Sequence, residues 1–475
     1  MTKLLQEIVM LRSIEGILDW DQETYAPAGA VTYRAKQSSF LAGKVHELKT
    51  SEAFHDALES ADFSEANLCE LRHQYERATK LPQELVERAS ETASLAKAAW
   101  MEAREKDEFA LFAPHLEKLL EIAREQADHW GYEDEPYDAL LAEYERGAKT
   151  KEVAQLFDSI ADDLSQIAAT AVENTHAIPA DFLHGPAPIT SQKIFNREVA
   201  ESLGFDFTNG RIDTTAHPFC TTLGPRDVRL TTRYDENDFS SSLFGVMHEA
   251  GHGLYEQGLP ADDFHLPSGQ AVSLGIHESQ SRLWENHVGR SPEFWQKWLP
   301  RAQELFPHLK EIAFEDFMKA INRAAYTPIR VEADEATYDL HILLRFKLER
   351  MLLNGELKVT DVPTVWNEHF EELFGFRPSS DSEGCLQDIH WSMGGLGYFA
   401  TYSLGNLNQL FTKAREDHAV DSAFSRGDFL PLLTWMKQHV HAKGSTLFPQ
   451  DLMKAATGSP TEPSAYLQHL RSRFC

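Results

Sequence analysis

Only four cysteines, Cys69, Cys220, Cys385 and Cys475, occur in 475 residues, and none stands in a CxxC pair. That scarcity excludes a disulfide framework and a Cys-ligated zinc site, and it suits a reducing compartment. No apolar run approaches the roughly 20 residues of a membrane span. The first twenty residues set Lys3, Glu7, Arg12 and Glu15 among their apolar positions. This is an amphipathic helix rather than a signal-peptide core, so a cytoplasmic location is expected. Positive charge is short as well: Lys+Arg is 45 against 74 Asp+Glu, a net charge of −29. A surface of that sign repels nucleic acid and anionic membranes, and leaves small molecules or peptides as partners. Gly/Ser tracts, Pro-rich linkers and repeats are missing. Domains average about 150 residues, yet nothing divides this chain, and a single unit over residues 1–475 is expected. With 42% hydrophobic and 11% aromatic residues, that unit is folded rather than disordered.

What is present is mostly helical pattern. Apolar residues recur at helical spacing over Leu4–Leu18, over Phe109–Ile122 with Pro114 opening a second part, and over Val153–Val172. Residues Ile178–Ser191, rich in Pro, Gly and His, read as a loop. Helical pattern returns from Pro292 to the C-terminus, broken near Gly375–Glu383. The exception is Asp227–Tyr234, where Val228, Leu230 and Thr232 alternate with polar residues. This is a strand, read either as an edge open to a substrate backbone or as part of a plain hairpin. The fold class expected is mainly α, a large helical body around a groove.

Shortly after the strand comes His248-Glu249-Ala250-Gly251-His252, an HExxH pattern. On a helix, residues i and i+4 share a face, so both imidazoles can reach one metal ion, with the glutamate placed as base toward a water. The alternative is an ordinary helix with two exposed histidines. Phe244, Val246, Met247, Leu254 and Tyr255 flank the motif, which marks an apolar, packed helix and favours the metal site. Three glycines, Gly245, Gly251 and Gly253, weaken helix propensity but suit close packing against the helix.

Catalytic zinc usually takes three protein ligands and keeps a position open. A histidine third ligand would need HExxHxxGxxH, and the chain instead continues Gly253-Leu254-Tyr255-Glu256-Gln257-Gly258. Glu278 stands 278 − 252 = 26 positions after His252, far enough for a turn and a returning helix. Glu256 is the rival, although on the same helix it points away from the open side. His277 is a residue of the pocket or behind the ligands, or simply a packed histidine.

In order along the chain stand Asp19-Trp20-Asp21-Gln22-Glu23-Thr24, His217-Pro218-Phe219, Asp227-Val228-Arg229-Leu230-Thr231, the HExxH pattern, His277-Glu278-Ser279-Gln280 and Gln387-Asp388-Ile389-His390-Trp391. Together they resemble the carboxypeptidase Taq family, the thermostable carboxypeptidase 1 type of metallopeptidase, over most of the chain. The resemblance implies a mainly helical HExxH fold around a deep groove, with a small β-sheet near the metal. It implies homodimers, and the release of single amino acids from peptides with a free C-terminus, with broad specificity. It implies zinc, with cobalt also used by some members. His248, His252 and Glu278 would then be ligands and Glu249 the catalytic base.

The remaining roles follow from the chemistry. An oxyanion needs donors besides the metal. His390 and Tyr398 are the candidates, since related helical zinc dipeptidases carry a histidine and a tyrosine at similar spacing. Tyr402 is the rival tyrosine, and all three aromatics are otherwise groove-wall packing. A free carboxylate calls for an arginine: Arg377 first, then Arg229, which Asp227 can alternatively hold. His217 is a candidate for the same subsite. Glu332, Asp334 and Glu335 either orient a ligand or an arginine, or form a solvated helix face. Two competing functions are a dipeptidyl- or oligopeptidase of the same helical zinc type and a non-catalytic peptide-binding protein. The second would be marked by a replaced Glu249 or ligand, and all are present.

Overall fold

The structure is a computed structural model that describes residues 1–215 and 217–475; the side chains of Ala28 and Val31 also lie outside the description. Helices dominate it. α1, Thr2–Thr24, extends the amphipathic pattern of the N-terminus. The pattern begun at Phe109 becomes one helix, Phe109–Trp130, which runs through Pro114 rather than restarting there. The proline lies near the helix start and forfeits one backbone bond, while Phe112, Leu116, Leu119 and Leu120 anchor both sides of it in the core. Thr150–Thr175 is helical as the third pattern predicts. The expected loop ends early, because a helix begins at Ile189, where Gln192 Nε2 donates to the carbonyls of Ala187 and Asp235.

Three strands form the sheet: β1 Gly210–Thr214, β2 Cys220–Gly224 and β3 Asp227–Thr232, in the order β1-β3-β2. β1 pairs with β3 in parallel and β2 pairs with it antiparallel, Leu230 lying opposite both Ile212 and Cys220. The strand expected as a possible edge is therefore the central one, and its backbone groups are taken on both sides. The edges are β1 and β2, and β2 is bordered by α1, whose Ser13 hydroxyl donates to the carbonyl of Leu223.

Behind the sheet runs α2, Phe239–Gly258, which carries the HExxH residues. Asp238 caps it, accepting from the Ser240 N–H at 2.8 Å and from the Ser241 N–H. Its apolar flank, Leu243, Val246, Met247, Ala250 and Leu254, is buried with Val228 and Leu230 of β3. α3, Leu274–Arg282, starts at a Ser273 cap and continues as a π-helical turn over Leu283–Val288. α4 is Tyr338–Leu353 and α5 is Ser464–Phe474. Two large apolar cores result. One gathers α2, the sheet and Ile276 of α3; the other gathers α4, α5, Trp366, Trp391 and Phe399. A smaller cluster joins Leu5 and Ile8 of α1 to Phe54, Leu58 and Leu71. Among the described residues no helix is long and apolar enough to cross a membrane.

α3 crosses α2 at Gly251. A methyl group there would stand 2.6 Å from the Gln280 carbonyl oxygen and the Ser281 Cα. Gly251→Ala should therefore force the helices apart and destabilise the protein by about 1–3 kcal/mol. Gly43→Ala, in a helix with nothing within 4 Å of the added methyl, should be neutral or stabilise by up to about 1 kcal/mol. Thermal unfolding of both variants checks this, and equal effects would contradict the crossing argument.

Candidate metal centre

His248 and His252, one turn apart on α2, present rings 4.9 Å apart at 82°. The crossing over Gly251 brings Glu278 of α3 between them. Its Oε2 lies 3.7 Å from His248 Nε2 and 3.6 Å from His252 Nε2. Around a tetrahedral ion with bonds near 2.0–2.2 Å, ligand atoms stand roughly 3.4 Å apart, so the observed spacing suits one ion. Glu278 Oε1 is buried with no hydrogen-bond partner, a state that costs free energy unless a cation satisfies it. These residues fit a divalent metal.

Each imidazole is oriented from behind. His248 Nδ1 lies 2.9 Å from Glu285 Oε2, to which Arg282 Nη1 donates at 3.0 Å. His252 Nδ1 lies 2.5 Å from His277 Nδ1, His277 Nε2 lies 2.8 Å from Glu256 Oε1, and Thr222 Oγ1 donates to Glu256 Oε2 at 2.7 Å. Glu256, weighed above as a ligand, is thus linked to His252 through His277. Both rings turn Nε2 toward Glu278, the orientation that carboxylates behind metal-bound histidines impose.

The charges agree. Burial pushes the Glu249 carboxyl up to about 7, with Glu278 and Glu285 adding to the effect and His248 opposing it. Burial works against charge on His248, but Glu278 and Glu285 outweigh it and raise the imidazole to about 9. Burial and the neighbouring His277 hold His252 well below its ordinary range. Against burial, Arg282 and His248 hold Glu285 down at about 2. Metal ligation requires neutral imidazoles. Three carboxyl groups, Glu249, Glu278 and Glu285, then stand around the two rings with Arg282 as the near cation, an acidic setting that suits a bound cation.

The second core supplies the facing wall. His390 Nε2 lies 3.0 Å from the Tyr402 hydroxyl, and Tyr402 is hydrogen-bonded to Tyr398. Burial pushes Tyr398 up to about 12, with the charges of Glu278 and Glu249 contributing. The charge of Glu278 acts on both Tyr398 and Tyr402, and Tyr402 is in addition paired with His390. Asp388 is gripped by Arg330 at 3.0 and 2.8 Å and by Arg345 at 2.6 Å. His217 is exposed, close enough for its charge to act on His390.

The arginines expected to meet a substrate carboxylate are placed differently. Arg377 does not join the cluster. The helix Val362–Phe374 ends at a left-handed Gly375, and Arg377 folds back onto Glu371 of that helix at 2.7 Å, its side chain 53% exposed. Arg229 pairs through two bonds with Asp227, at 2.8 and 2.7 Å, and lies over the Trp20 ring at 4.5 Å. Of the acidic trio, Glu332 is exposed, Asp334 caps the turn at Ala336 and Thr337, and Glu335 is buried between His469 and Arg473. Glu285 escaped the sequence reading, although it stands seven residues, two helical turns, after Glu278. Arg330 and Arg345 escaped it too, having no local signal.

A family model described as Carboxypeptidase Taq (M32) metallopeptidase matches residues 1–474. The chain is 38% identical to thermostable carboxypeptidase 1 of Thermus thermophilus, over 99% of this chain and 96% of that one. It is 36% identical to carboxypeptidase 1 of Bacillus subtilis, over the same shares. The solved structure of an M32 carboxypeptidase from Deinococcus radiodurans superposes with a TM-score of 0.95 at 37% identity, covering 100% of this chain and 97% of that one.

Glu285→Gln removes the carboxylate behind His248. It should weaken metal affinity about 10- to 100-fold with the fold retained, as read by competition with a chelator of known affinity. Unchanged affinity would contradict the role assigned to Glu285.

Proposed function

This chain belongs to the carboxypeptidase Taq (M32) family and is a metal-dependent carboxypeptidase, and we propose that it releases single C-terminal residues from peptides at the centre formed by His248, His252 and Glu278. The observation that carries the reading is Glu278 standing between the two imidazoles, with Glu249 on the same helix as both. Zinc is the ion proposed, with cobalt as a substitute, since two imidazoles and a carboxylate suit either. When bound, such an ion polarises the scissile carbonyl and acidifies water.

The side chains do the rest. Glu249 takes the proton of the attacking water and passes it to the leaving amine. Tyr398 and His390 donate to the developing oxyanion from the opposite wall, with Tyr402 holding His390 in place. Arg229 and His217, near the sheet, line the subsite for the terminal carboxylate; Arg229 is preferred to Arg377, which is tied to an exposed surface pair. Assembly as a homodimer and a cytoplasmic location complete the proposal.

Two outcomes test it. A peptide with a free C-terminus should lose single residues in sequence, while its C-terminally amidated twin stays intact. Chelation should stop the reaction and added zinc restore it, with products read by mass spectrometry. Loss of dipeptides, or equal cleavage of the amide, would favour a dipeptidyl- or oligopeptidase instead. Glu249→Gln should lower kcat by at least about 10²- to 10⁴-fold while the protein keeps its metal; substantial residual turnover would remove Glu249 from the role of base.

A further inference from the structure

His390 and Tyr398 sit on a segment, residues 387–399, with no long helix of its own; a short 3₁₀ turn spans His390–Met393. Two side chains of α4, one turn apart, hold it. Arg345 donates to Asp388 Oδ2 at 2.6 Å. Glu349 accepts from Trp391 Nε1 at 3.0 Å on Oε1, and from the Gly397 N–H at 3.2 Å on Oε2. The Tyr137 hydroxyl donates to the same Oε2 at 3.0 Å. Trp391 is the neighbour of His390, and Gly397 is the neighbour of Tyr398. The two oxygens of one carboxylate therefore tie down both ends of the stretch between the two oxyanion candidates.

Gly397 has no slack on its other side. Its φ is +91°, and an added methyl would stand 2.9 Å from the Leu140 carbonyl carbon. Glu349 itself is fully buried, 0% exposed. Burial pushes its carboxyl up to about 7 despite its three donors. Core packing alone is served at lower cost by an apolar side chain, so the carboxylate calls for another reason.

We propose that Glu349 is a positioning residue that sets the separation of His390 and Tyr398 by holding Trp391 and Gly397 at fixed places. The inference rests on the reading of His390 and Tyr398 as oxyanion donors. Donors displaced by an ångström lose much of their effect on the transition state and little of their effect on substrate binding.

Glu349→Gln keeps the shape but turns one accepting oxygen into a donor, so one of the two ties fails. Trp391→Phe removes a tie from the other end and serves as the second variant should the first not fold. Each folded, metal-loaded variant should lose about tenfold in kcat, with KM within about twofold of the parent. Tyr398→Phe and His390→Ala should each also lower kcat, and Glu349→Gln added to the double variant lacking both groups should lower kcat by less than about twofold more, because linked groups are non-additive. A full tenfold further loss in that background would mark Glu349 as merely structural and overturn the proposal. Wild-type kcat in Glu349→Gln beside a clear loss in Tyr398→Phe would overturn the positioning role alone. Wild-type kcat in both Tyr398→Phe and His390→Ala would overturn the oxyanion reading and this inference with it.

Discussion

The crossing of α3 over Gly251 is the contact on which the site depends. It lies between the two histidines of one helix, at the position where any side chain would meet the backbone of the other. Glycine in a helix interior costs about 1 kcal/mol relative to alanine, and here that cost brings Glu278 within 3.6–3.7 Å of both imidazoles. A second glycine completes the arrangement from the far side: a methyl at Gly405 would stand 2.8 Å from Glu278 Cβ. Glu278 is thus wedged between two glycine-lined surfaces, and the Ser281 hydroxyl, donating to its Oε2 at 3.0 Å, helps to set the carboxylate.

That wedge sets up the electrostatics. Glu249 and Glu278 lie buried, and Glu285 half-buried, around two imidazoles with Arg282 as their near counter-ion. A buried set of carboxylates is unfavourable unless paired or bound to metal. The chains behind the histidines, Glu285 on one side and His277–Glu256–Thr222 on the other, fix which ring nitrogen faces Glu278.

Much of this was legible locally. The HExxH spacing places two imidazoles on one helical face, and the 26-residue interval to Glu278 leaves room for a returning helix. The long amphipathic patterns became helices because their apolar stripes meet the cores. What was hidden depends on distant partners. β3 has the alternation of an edge or hairpin strand, and only its pairing with both β1 and β2 makes it central. Arg377 lies near the QDIHW stretch in sequence, but the left-handed turn at Gly375 sends it back to Glu371. Arg330, Arg345 and Glu349 reach the His390 segment from 42 to 58 positions away, with no motif of their own to mark them. Glu285 was within reach of periodicity, being two turns beyond Glu278.

The central claim is that one ion is shared by His248 Nε2, His252 Nε2 and a Glu278 oxygen. Anomalous diffraction from crystals of the zinc-loaded protein tests it most directly. The account predicts a single strong peak about 2.0–2.2 Å from each of those three atoms, with Glu256 and His277 outside the coordination sphere. A peak bonded to Glu256 or His277, or one that leaves Glu278 unbound, would contradict it.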